Sequence, residues 1–129
     1  FELSPLFDML KAFAEHGAYL VIGTDHGSIQ IANPIKVIGD RATTTNLRYK
    51  QGRNLAYNPK EVYEITNPAD AYLPKTNISS TYIFSCNDDF FAYPNNYNHY
   101  VKYYKNTFQH GGISLQEMII PAITMKPKI

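Results

Sequence analysis

The sequence predicts an α/β fold, and three features carry that prediction. A capped amphipathic helix runs at once into a short apolar strand. Short apolar, strand-like segments then recur between prolines and glycines. Near the C-terminal end a second capped helix stops at a proline and leads into a last strand.

The first helix is read from "LSPLFDMLKAFAEHG". Ser4 suits the N-cap, Pro5 the first helical position and Gly17 the C-cap. Leu6, Leu10, Phe13 and Ala14 form one apolar stripe. Residues 18–23, "AYLVIG", read as a buried strand whose end carries Thr24, Asp25, His26 and Gly27. In open α/β sheets ligands bind beyond the carboxyl ends of strands, so this position suits a site. A short strand around Ile29 and Ile31, a turn at Asn33-Pro34 and an extended piece through Ile35, Val37 and Ile38 follow. The stretch from Asp40 to Asn54 is polar and basic, and residues 58–74 read as loop with one short helix near residues 60–65. Residues 80–86 and 89–94 read as strands. The polar-aromatic stretch 95–112 has no clear assignment. Ser114 and Glu117 match a capping box, Pro121 ends that helix, and "AITMKP" is the final strand.

Composition bounds the function. A chain of 129 residues is enough for one domain with a core. A net charge of +1 gives no general argument for nucleic acid or acidic membranes. Together with the lack of a helix-turn-helix pattern, it sets direct DNA binding aside. No apolar run approaches the roughly 20 residues that span a bilayer. The single cysteine, Cys86, excludes an internal disulfide and fits a reducing, cytoplasmic compartment. The chain begins at Phe1 and enters a helix almost immediately, so it is expected to be part of a larger protein.

Chemistry centres on the histidines. His16 lies in the last turn of the first helix, where the dipole accounts for it. His26 and His110 both border glycines at the ends of predicted elements. With Asp25 they offer the carboxylate and imidazole donors that zinc prefers. The plainer reading is a capping Asp25 and a hydrogen-bonded His110. Arg48 and Lys50 lie two apart, so an extended segment turns both to one face, where they would hold a substrate phosphate or form solvated surface. Eleven Tyr and seven Phe with no Trp make the chain tyrosine-heavy. Tyr97, Tyr100, Tyr103 and Tyr104, interleaved with Lys102 and Lys105, suit base stacking or simple aromatic packing. His99 lies among them without a clear role.

"TDHG" at Thr24–Gly27, after an αβ unit, and "HGGISLQEMIIP" at His110–Pro121 together resemble the C-terminal part of a PglZ domain. Such domains belong to the alkaline phosphatase superfamily of two-metal phosphoryl-transfer enzymes. "NPIKVIGDRATTTNLRYKQGRN" and "FAYPNNYNHYVKYYKNTFQHGG" are similar to the PorX-type response regulators of Bacteroidetes. The resemblance implies the C-terminal part of an alkaline-phosphatase-like α/β/α sandwich with an incomplete sheet, residues 1–129 being a single domain or fragment. It implies that Asp25 and His26 hold the metal that contacts the nucleophile, and that His110 holds the other metal. The cofactor would be Zn2+, two ions per intact site. The nucleophile and the remaining ligands would lie upstream, outside this chain, and Thr24 is not that nucleophile.

The expected function is therefore the C-terminal portion of a zinc-dependent phosphodiesterase or phosphatase, inactive alone. Its substrate would be a phosphodiester or nucleotide-type ester. The likeness further implies a receiver domain and a sensor kinase as partners, in regulation of type IX secretion. A cut sheet would expose an edge and an apolar face, so a homodimer, element swapping or marginal stability is expected. The alternative is a non-catalytic protein-interaction module on the same scaffold.

Overall fold

The computed structural model describes residues 2–128. By its internal contacts the chain divides into two compact units, Phe1–Asp25 with Ile120–Ile129, and His26–Ile119.

In the first unit, helix α1 spans Pro5–Glu15, with Ser4 at its N-cap. Gly17, at φ +70°, turns the chain out of the helix, and Ala18 N–H donates to the Phe13 carbonyl at 3.0 Å. Strand β1, Leu20–Gly23, pairs antiparallel with the last strand, β9, Ala122–Met125, in the register Leu20↔Met125 to Gly23↔Ala122. These elements lie where the sequence predicts them, but β1 is not the buried strand expected there, since its residues alternate between half-buried and exposed. None of the residues of α1 is buried, and Val21 is 77% exposed.

The second unit holds the core. Strand β2, Ile29–Gln30, pairs antiparallel with β8, Phe108–Gln109. Strand β3, Asn33–Lys36, runs parallel to β7, Asp89–Ala92. Strand β6, Thr81–Ser85, is flanked antiparallel by β4, Tyr49–Gly52, and β5, Val62–Ile65. Strand β7 is buried on both faces: Phe90 and Ala92 join Ile29 and Ile31, while Phe91 joins Ile35, Val37 and Ile83. Period two thus feeds two clusters from one strand.

Several sequence expectations change here. Asn33-Pro34 is the start of β3 instead of a turn. Pro34 has no N–H to give, but among the described residues β3 pairs only with β7, so the missing donor breaks no ladder, and Ile35 is driven inward. The helix expected at residues 60–65 is one 3-10 turn, Pro59–Glu61, followed by β5; the β-branched and aromatic residues of "VYEI" prefer the pleated edge of β6. The polar, basic stretch contains β4, and Arg48 and Lys50 there are buried instead of forming solvated surface. The unassigned stretch contains helix α2, Tyr97–Tyr104, whose Tyr97, Val101 and Tyr104 pack on the first cluster. Helix α3, Leu115–Met118, carries the Ser114–Glu117 capping box but gives way to extended backbone at Ile119, before the Pro121 expected to end it.

The mixed α/β class is as expected, realised in sheets of two and three strands. Among the described residues no helix is long and apolar enough to cross a membrane.

Candidate metal centre

Pairing of β2 with β8 aligns Ile29 with Gln109, which brings the residues just before β2 beside those just after β8. The consequence is that His26 and His110 meet. Their rings stack with centroids 3.5 Å apart and planes 14° from parallel. His26 is half-buried and His110 exposed. His26 Nδ1 lies 2.7 Å from the Gly27 carbonyl oxygen. A carbonyl only accepts, so Nδ1 carries a proton, and in the neutral form of the ring the lone pair then lies on Nε2. A second-sphere bond of this kind is how metal-binding imidazoles are commonly oriented.

Glycines frame both histidines for steric reasons. A Cβ on Gly27 would lie 1.9 Å from the Gln116 carbonyl oxygen. Gly111 sits at φ +107°, and a Cβ there would lie 2.6 Å from Asn46 Nδ2. Each loop is then tied to Glu117. Gly27 N–H donates to the Glu117 carbonyl at 2.8 Å. Gly112 N–H donates to the Glu117 carboxylate at 2.9 Å, and Ser114 N–H does so at 3.2 Å.

Arg48 completes the arrangement. Its Nε and Nη2 donate to the two carboxylate oxygens of Glu117, each at 3.0 Å, in a fully buried fork-to-fork pair. Its Nη1 donates to the Asp89 carbonyl. The Arg48 backbone N–H donates to Asn46 Oδ1 at 2.7 Å, and Asn46 Nδ2 donates to the His110 carbonyl at 3.2 Å. Burial pushes the Glu117 carboxyl up. The hydrogen bonds from Arg48, Ser114 and Gly112 and the Arg48 charge outweigh it, and the net shift is downward.

His26 and His110 come together. Asp25 belongs to the first unit, where it accepts a 3.4 Å hydrogen bond from Thr24 Oγ1. Arg48 is engaged with Glu117 and Asp89. Lys50, from β4, lines a cavity with Tyr93, Tyr100 and Tyr104. Among the described residues no three His, Cys, Asp or Glu side chains are grouped so as to hold a metal ion. His99 is exposed and contacts the rings of Tyr100 and Tyr103. Glu117 and Asn46 were missed as members of the site. Glu117 was visible as a cap, but nothing in the sequence shows that its carboxylate is buried on Arg48.

The family model of the BREX system PglZ alkaline phosphatase-like domain matches residues 2–125, nearly the whole chain. No curated protein gives a significant match. The chain belongs to the PglZ family of alkaline phosphatase-like domains.

Proposed function

We propose that this chain is the C-terminal part of a zinc-dependent phosphoric ester hydrolase, built on part of an α/β/α sandwich, and that it supplies ligands to a two-metal site. The observation that carries the reading is the parallel His26–His110 pair, 3.5 Å apart at the ends of two glycine-framed loops. Imidazole lone pairs lie in the ring plane, so two parallel rings do not converge on one ion. They suit one ion each, in a pair spaced about 3.5–4 Å. His26 would serve one ion and His110 the other. Asp25, peptide-bonded to His26, is the carboxylate assigned to the first. Such ions, when bound, activate a nucleophile and neutralise charge on a phosphoryl group. The residues of this chain orient the imidazoles: the Gly27 carbonyl fixes the His26 tautomer, and Glu117 with Arg48 holds both loops. Of the two cations assigned to substrate phosphate, Arg48 acts through Glu117, and Lys50 is the one offered to an anion.

The likeness of the tyrosine- and asparagine-rich stretch to PorX-type response regulators supports a wider assignment. The parent protein would be a cytoplasmic two-component regulator with a receiver domain and a sensor kinase, linked to type IX secretion and acting on a phosphodiester. A non-catalytic interaction module is the second reading. It is favoured by the exposed Phe13, Val21 and Ile123 of the first unit.

Zinc titration followed by imidazole nitrogen NMR tests the metal. The expected result is a zinc-dependent shift of both the His26 and His110 rings. Substitution His26→Ala should abolish its own signal and leave a His110 response, because the two rings serve different ions. The titration is made on the longer parent protein, which carries the upstream ligands, and zinc that leaves both rings unmoved there overturns the metal reading and puts the interaction module first.

A further inference from the structure

The buried cations of the second unit are neutralised unequally. Arg48 faces the two oxygens of Glu117, whereas Lys50, only 1% exposed, has no carboxylate partner among the described residues. Lys50 Nζ donates to the Thr44 carbonyl at 2.9 Å and sits 4.8 Å above the Tyr93 ring. An ammonium has three protons to give, and a carbonyl and a ring face compensate a buried positive charge only in part. Burial accordingly lowers the Lys50 pKa to about 8.

The space beside this ammonium is a cavity of about 230 Å3, walled by Leu47, Phe91, Ala92, Tyr93, Tyr100 and Tyr104. The walls are mostly apolar and aromatic. Tyr100 and Tyr104, one turn apart on α2, hold near-parallel rings, 15° apart with centroids at 6.3 Å. Tyr100 is 42% exposed and stands at the mouth. One cation with incomplete neutralisation, placed among flat apolar faces, calls for a ligand with one anionic group on a flat body.

We propose that this cavity binds a small planar ring carrying an anionic group, with the anion on the Lys50 ammonium and the ring against Tyr93, Tyr100 and Tyr104. The anion belongs either to the ester substrate or to a separate ring-bearing acid. The inference deepens the hydrolase reading by giving Lys50 its ligand, but the binding itself requires no metal.

The test is calorimetric titration of the whole chain with benzoate, phenyl phosphate and neutral benzamide, in the presence of a chelator so that the zinc reading is not involved. Benzoate or phenyl phosphate should bind at least about tenfold more tightly than benzamide. Lys50→Met should remove that preference. Removing a buried charge that is only partly compensated, with retention of volume, is expected to leave the fold intact. Tyr100→Ala, at the mouth, should weaken both anions by about threefold or more while leaving the preference over benzamide. Phenyl phosphate well ahead of benzoate assigns the cavity to the ester substrate, and equal affinities assign it to a separate acid; both support the site. Equal binding of benzoate and benzamide, unchanged binding in Lys50→Met, or no heat from either anion at millimolar concentration overturns it.

Discussion

The two units spend their apolar residues differently. In the unit formed by α1, β1 and β9, none of the helix residues is buried, and Phe13, Val21 and Ile123 are between 42% and 77% exposed. In the unit from His26 to Ile119, Ile31, Ile83 and Phe90 are fully buried, and a charged pair is buried with them. Both stretches show good secondary-structure patterning, so patterning alone does not make a core. Non-local pairing is common to both, since β1 meets β9 across about a hundred residues; what distinguishes the second unit is that β7, paired with β3, packs a cluster on each of its faces. Stability is concentrated there, and the histidine pair is attached to it.

The largest effect should come from removing the buried anion. Glu117→Ala leaves Arg48 charged and unpaired, which costs about 3–5 kcal/mol. Urea unfolding of wild type and variant measures it. A loss below about 1 kcal/mol would show that the Arg48–Glu117 pair is solvated in solution. The same pair sets an acid dependence. The Glu117 carboxyl is held below its ordinary value of 4.5, so its contribution is present above that pH and is lost as the pH falls through the lower folded value. The urea midpoint of wild type should therefore fall more steeply in acid than that of Glu117→Ala.

Apolar truncation extends the comparison. Phe91→Ala, in the core of the second unit, should cost about 3–5 kcal/mol. Phe13→Ala, on the uncovered stripe of α1, should cost about 1 kcal/mol or less. Equal losses, read from the same urea midpoints, would mean that the stripe of α1 is covered in solution.

These contrasts also mark what the sequence could convey. Local rules were enough for α1, β1, β6, β7 and β9, because caps, glycines and apolar runs act over a few residues. They failed where a distant partner decides. Residues 62–65 became a strand because β6 offered an edge, and Pro34 entered β3 because among the described residues only one side of that strand is paired. The site divides along the same line. His26 and His110 stand out by their glycines, whose close backbone approaches are local needs. Arg48 and Lys50 looked alike in sequence, two basic residues in a polar run. Their difference in charge compensation comes from position 117, a carboxylate that reaches the first and not the second.

The smallest expected effect is the most informative about the first unit. Val21 lies in β1 opposite Thr124 and is 77% exposed. Val21→Thr keeps the β-branched shape that suits a strand and exchanges a methyl for a hydroxyl. In an isolated chain the exchange alters no buried contact, so stability should change by no more than about 0.5 kcal/mol. Sedimentation of wild type across a range of concentrations supplies the second half of the test. If the exposed Val21 and Ile123 are covered by a second copy, wild type associates with rising concentration and Val21→Thr weakens that association while the dilute chain keeps its stability. If wild type stays monomeric throughout, the apolar residues of β1 and β9 are not a self-association surface, and the homodimer expected from the sequence is discarded. A large stability loss in the dilute chain would remove the contrast between the units itself, since it would require Val21 to be packed.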